Sequence, residues 1–256
     1  TIAERVAESG IKANISRALT FFDEDYDFHS DNRAGELVRL VEEWHGFDHG
    51  RIRIEASIHA EYTSNPKVWT AVSDYAASKG LRMQVHLSET RSEHERCIEK
   101  YGMTPAAVLA RYGVFDVPAS AAHCVWVDQN DIDILAQKCV SVVHNPVSNM
   151  KLASGIAPVT DMLTAGVNVA LGTDGVSSNN SFDMFEEIKM ASLAAKVRSL
   201  DPTAVKASQA LIMATSGGAA AQGRRGECGM IREGMDADLI LIDFDRPHLI
   251  PAHDIV

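Results

Sequence analysis

Gln84–Thr90 reads QVHLSET. Apolar and polar side chains alternate through Met83–Leu87, as in a half-buried strand, so the ring of His86 can point into an open mouth at the strand end. Glu89, three residues on, can curl over the same mouth. Three later stretches repeat the plan. Ala121–Val125 (AAHCV) puts His123 on an apolar run, His144–Asn149 (HNPVSN) follows another, and Val169–Gly175 (VALGTDG) ends on Asp174 between Gly172 and Gly175, which let the backbone bend. Taken singly, each histidine reads as readily as a hydrogen-bonded core residue, and His144 is best read as structural. An aspartate behind a buried run is costly unless it is paired or holds a cation. Four consecutive strand ends carrying His, His, His and Asp, with a glutamate added, point to chemistry at the carboxyl ends of parallel strands, where a closed (β/α)8 barrel builds its site.

Outward from these runs, the chain alternates short β-branched segments with helix-length ones. Candidate strands are Ile11–Ile15, Ile52–Ile58, Met83–Leu87, Ala121–Val127, Val140–His144 and Val167–Leu171, with a lone strand at Asp238–Phe244. Helices are signalled by Asn65-Pro66 to Gly80, by the capping-box spacing of Thr90 and Glu93, by Thr104-Pro105 to Gly113, and by Asp201-Pro202 onward. This order implies right-handed βαβ units and a parallel α/β sheet. No GxGxxG occurs, which counts against a dinucleotide fold. Only six strands can be read before the glycine-rich tail, so the expected architecture is an incomplete TIM-type barrel, about strands 3 to 8.

The 256 residues carry 35 acidic and 24 basic side chains, a formal net charge of −11. No segment concentrates Lys and Arg, which argues against nucleic-acid partners and membrane-surface binding. No apolar run approaches the roughly 18–20 residues of a membrane span. The four cysteines show no paired spacing, so a disulfide scaffold and a zinc ribbon are set aside and a reducing cytoplasm is expected. Arg17 closes the first candidate strand, Arg33 lies in an acidic loop before the helix Glu36–Trp44, and His59 ends the strand Ile52–Ile58. His29, His45, His49, His94, His248 and His253 are read as solvated.

QVHLSET, AAHCV, HNPVSNMKLASGIAP (His144–Pro158) and LGTDGVSSNN (Leu171–Asn180), in that order, resemble the amidohydrolase superfamily. Within it the similarity is to the 5′-methylthioadenosine/S-adenosylhomocysteine deaminase and chlorohydrolase branch, and it spans nearly the whole chain. The resemblance implies His86 and Asp174 as ligands of one divalent metal, zinc foremost with iron as the alternative. It implies Glu89 as proton shuttle, His123 as the histidine that polarises the reacting group, and Asp174 as acceptor of the water proton. His59 resembles a substrate-contacting histidine, although the family usually shows His-Ala-Pro where this chain has His59-Ala60-Glu61. Arg17 and Arg33 resemble the pair that grips the amino-acid carboxylate of S-adenosylhomocysteine. Residues 1–225 would then be the partial catalytic barrel. Residues 226–256, through Gly229–Asp243 (GMIREGMDADLILID), would begin the return to a small composite β-sandwich.

One family motif is absent. The metal-binding His-x-His of the first barrel strand has no counterpart, because the sequence contains no HxH. The expectation is a member lacking its N-terminal region and cut short at Val256, with an incomplete metal site. The implied reaction is hydrolytic deamination of an adenine-type nucleoside, with a homo-oligomer expected. The rivals are another amidohydrolase, acting on guanine, a pterin or a chlorinated triazine, and a catalytically dead fragment. A cytidine-deaminase site needs HxE with PCxxC, and neither occurs.

Overall fold

The computed structural model describes residues 1–250, apart from the side chain of His248; His253 and the end of the expected sandwich segment lie outside the described residues. Six parallel strands form one sheet in chain order. They are β1 Ala13–Leu19, β2 Ile52–Ile58, β3 Met83–Leu87, β4 Ala119–His123, β5 Ser141–His144 and β6 Val169–Leu171. Among the described residues β1 and β6 each pair on one side only. Helices connect the strands, and a continuous core fills the space between the two layers, from Leu37 and Trp69 through Leu109 and Leu135 to Met162 and Met213.

Local signals place the helices. Thr1 caps Ile2–Ser9, and Gly10 ends it with a left-handed φ of 79°. Asn65 accepts the N–H groups of Lys67 and Val68 to start Pro66–Lys79, whose Val68, Val72 and Ala76 are buried. Thr90 and Glu93 form a reciprocal capping box at Arg91–Tyr101.

Several boundaries differ from the sequence reading. β1 begins at Ala13, because Gly10 turns the chain and the register pairs Ala13 with Ile52, leaving Ile11 58% exposed. β4 stops at His123, because Val125 and Trp126 both donate their N–H to the Ser88 carbonyl and leave the ladder. The Asp201-Pro202 signal opens a side-chain-capped turn on Thr203, and the helix itself is Ala207–Ala214. Asp238–Phe244 is not a strand: it has no ladder partner among the described residues, and Leu239, Ile240 and Leu241 stand exposed.

The segment after the last helix (Ser216–Ala221) returns beneath the sheet. Arg224, 1% exposed, donates to the carbonyls of Gly50, Arg51 and Ala13 and to Asn14 Oδ1. Arg53 in turn reaches Gly223 O and Glu227. This seam fixes the amino ends of β1 and β2, opposite the end where the chemistry gathers. No helix is long and apolar enough to cross a membrane, among the described residues, and the four cysteines are free thiols.

Candidate active site

The carboxyl ends of β2, β3 and β4 bring three imidazoles together. The His59 and His86 ring centroids lie 4.8 Å apart, and His86 and His123 stack at 5.3 Å. His86 arrives by simple alternation, since Met83, Val85 and Leu87 are buried on the opposite face. Its Nδ1 donates to the His59 carbonyl oxygen at 2.8 Å. That bond leaves the Nε2 lone pair unshared, the state of a metal-binding histidine.

His123 takes another route. Its register partner is Leu87, buried in the core, so alternation alone would send the ring there too. A φ of 71° at His123 and of 49° at Cys124 breaks the strand, and the ring stacks on His86 instead. A left-handed backbone costs a residue with a Cβ roughly 1–2 kcal/mol, so the surroundings hold it there. Nδ1 donates to Asn149 Oδ1 at 2.8 Å, and Nε2 lies 3.8 Å from Glu89 Oε2. Burial depresses the His123 pKa, with Glu89 and Asn149 opposing; burial and then His86 depress that of His59.

Glu89 is half-buried, with Ser154 Oγ 3.5 Å away. Its turn is held from behind by Glu93, whose Oε2 accepts the N–H groups of Glu89 and Thr90, each at 3.2 Å. Asp174 follows β6 with a φ of 60°. Ser148 Oγ donates to its Oδ2 at 2.6 Å and the Gly175 N–H to its Oδ1 at 2.6 Å. Burial acts to raise this carboxyl; the two hydrogen bonds, helped by His123 and His86, outweigh it and hold the pKa below its ordinary value.

The two glycines beside Asp174 do different work from the bend expected of them. Gly172 has no positive φ; it is needed for space, because a Cβ there would lie 2.5 Å from Asn145 Oδ1 and 2.9 Å from Val143 Cγ1. Gly175 has nothing within 4 Å of such a Cβ and a φ of −75°. The unusual backbone belongs to Asp174 itself.

Arg17 and Arg33 are brought together, but in a separate groove of about 470 Å³ that holds none of the three imidazoles. Arg17 lies within β1 rather than closing it, and pairs with Glu36 at 2.5 Å. Arg33 sits in the first turn of the helix Asn32–Trp44, not in a loop, because Asp31 caps that helix earlier than Glu36; its guanidinium donates to Thr20 O. His144 is buried and neither ring nitrogen has a partner among the described residues, so burial pushes its pKa down to about 3. His29, His45 and His49 are exposed, whereas His94 is half-buried and shares a hydrogen bond with Ser88.

Among the described residues no group of three or more His, Cys, Asp or Glu side chains is arranged to hold a metal. His86 with its unshared Nε2 and Asp174 with its lowered pKa have the right donor chemistry, and fit as half of a four-ligand set. Ser148 and Asn149, a hydroxyl and an amide just after a turn, would ordinarily bond nearby backbone. They bond the side chains of Asp174 and His123 instead, which their place two and three residues after Pro146 did not disclose.

A parallel sheet that gathers imidazoles and carboxyl groups at its carboxyl ends has the architecture of a TIM-type barrel with its site at the strand mouth. The amidohydrolase family model matches residues 4–255, and the chain belongs to that family. It is 47% identical over 255 residues to a 5-methylthioadenosine/S-adenosylhomocysteine deaminase of Pelotomaculum thermopropionicum, covering 100% of this chain and 58% of that protein. It is 44% identical to a 5′-deoxyadenosine deaminase of Methanosarcina acetivorans, covering 99% of this chain and 58% of the relative. The crystal structure of a zinc-bound adenosine deaminase from Xanthomonas campestris superposes with a TM-score of 0.91 at 33% identity, over 99% of this chain and 57% of that one. A zinc complex of an atrazine chlorohydrolase from Arthrobacter aurescens superposes at 0.85 and 26% identity, over 98% and 57% of the two chains. The chain thus spans less than three fifths of the length of these relatives.

Proposed function

We propose that this chain supplies the proton-moving and purine-binding part of a hydrolytic deaminase acting on S-adenosylhomocysteine, 5′-methylthioadenosine or a related adenine nucleoside. The observation that carries the reading is the convergence of Glu89 and His123 with an Asp174 held ionised by Ser148 and Gly175. The names of the relatives support the same substrate class.

His86 and Asp174 would hold one divalent metal, zinc on the precedent of the zinc-bound relatives, and its chemistry is to acidify a water toward a pKa of about 7. Asp174 takes a proton from the attacking water. Glu89 gives a proton to the purine ring nitrogen beside the carbon that bears the amino group, so no ring anion builds up as oxygen adds there. His123, with Nδ1–H committed to Asn149, presents Nε2 to accept a hydrogen bond from the added hydroxyl. The amino group takes up the proton held by Asp174 and leaves as ammonia, the hydroxyl proton passes to Glu89 to restore what it gave the ring nitrogen, and the carbonyl that remains keeps the oxygen of the water. His59, against His86, is the proposed contact for the rest of the nucleoside, and Arg17 and Arg33 the proposed carboxylate grip, for which Arg17 must exchange Glu36 for the substrate. Residues 1–225 are proposed as barrel and 226–256 as the start of a sandwich segment.

The test is ammonia release by a chain that also carries the family's His-x-His pair. Adenine nucleosides should be deaminated, while turnover confined to guanine or a triazine would replace this reading with another amidohydrolase activity. In the same assay Arg33→Met should weaken S-adenosylhomocysteine by about 1.5–3 kcal/mol, roughly ten- to a hundredfold, and adenosine far less. Equal losses for both substrates would leave Arg33 with a structural role.

A further inference from the structure

Behind the Glu89 turn lies a cavity of about 400 Å³ whose lining includes two buried carboxyl groups, Glu61 and Glu93, 2% and 5% exposed. Glu61 stands in the short 3-10 turn Glu61–Thr63 that follows His59, and Glu93 in the first turn of Arg91–Tyr101. Glu93 Oε2 is occupied by the N–H groups of Glu89 and Thr90. Its Oε1, and both oxygens of Glu61, have no hydrogen-bond partner among the described residues.

Two carboxylates side by side in a desolvated place cannot both stay charged without a cation. Arg96 and Lys100 line the same cavity but are exposed, the Tyr101 hydroxyl lines it without a partner among the described residues and supplies no cation, Cys97 is a buried thiol pushed up to about 12 by burial and by Glu61 and Glu93, and burial also raises the Tyr62 phenol. Glu89 adds a third carboxyl group facing Glu93. No three-donor metal site is present among the described residues. A proton is the remaining partner, and it belongs on Glu61, because the charge of Glu93 is already supported by two N–H donors.

We propose that Glu61 is a positioning residue that stays protonated, donates to Glu93, and so ties the turn carrying His59 to the turn carrying Glu89. Burial raises both groups above the ordinary carboxylate value of 4.5, with Glu93 adding to the effect at Glu61 and Glu89 at Glu93. Above that value the folded chain binds more protons than the unfolded one, so the stability contributed by the pair is present in acid and is lost as pH rises through the folded values. The consequence for catalysis rests on Glu89 being the shuttle; the pH dependence of stability does not.

The test is the melting temperature of the 256-residue chain, Glu61→Gln and Glu61→Ala between about pH 6 and about pH 9. The parent chain should fall by roughly 3 °C or more over that range. Glu61→Gln, whose amide donates permanently, should match it at the acid end and lose less than half as much by the alkaline end. Glu61→Ala should melt lower than Glu61→Gln at the acid end. An alkaline loss in Glu61→Gln as large as the parent's would overturn the proposal. Stabilisation of the parent, but not of Glu61→Gln, by added magnesium or calcium would replace the proton with a metal ion.

Discussion

Asp174 is kept ionised by its hydrogen bonds and not by exposure, since burial alone would raise its pKa. On the proposed mechanism Ser148 acts on the reaction through Asp174. In a chain that carries the His-x-His pair, Ser148→Ala should cost turnover about tenfold, the lower end of a charge-assisted hydrogen bond. Asp174→Asn should abolish activity, because an amide accepts no proton and is a poorer metal ligand. Retention of a tenth of the parent turnover would remove Asp174 from the mechanism. Glu89→Gln should lower turnover strongly and leave metal content near that of the parent, and loss of metal with activity would reassign Glu89 as a ligand. The positions of His86, Glu89 and Asp174 at or just past strand ends were legible in the sequence because each follows a periodic apolar run. Ser148 and Asn149 were not, because their partners lie 26 residues away and a hydroxyl or amide in a turn has many local uses, and Glu93 was legible as the capping partner of Thr90 but not as the acceptor of the Glu89 N–H.

Strand ends carry the site, and two of them depend on how neighbouring elements pack. The end of β6 passes so close to Asn145 that only a hydrogen fits at position 172. Gly172→Ala should destabilise the chain by about 1–3 kcal/mol through overpacking, while Gly175→Ala, in open space with ordinary φ, should stay within about 0.5 kcal/mol. Thermal melts of the two variants check this, and equal effects would contradict it. Strand identities were readable because alternation and turn residues are local signals. The end of β4 was read four residues late, at Val127, because apolar periodicity continues through Cys124 and Val125 and does not report a left-handed φ. Asp238–Phe244 failed for the opposite reason: a strand-like sequence becomes a strand only beside a partner.

At the scale of the molecule, six strands leave β1 and β6 each paired on one side among the described residues. With His86 and Asp174 as the only two proposed ligands, the 256-residue chain alone should bind metal weakly and release little ammonia. Its open strand edges should drive self-association. Elemental analysis, an ammonia assay and sedimentation check all three, and a stoichiometric metal with brisk turnover would overturn the expectation. The seam beneath the sheet was not legible at all, since nothing local marks Arg224 as the partner of carbonyls 173, 174 and 211 residues earlier. That distance along the chain has a meaning in time. A ribosome adding about 5–20 residues each second needs roughly 9–35 seconds to travel from Arg51 to Arg224. Through that interval the first two strands are already made while their lower ends still face water. The lower ends of β1 and β2 must wait for Arg224 before they are sealed, and the newborn chain is most open to chaperones and to its neighbours during that wait.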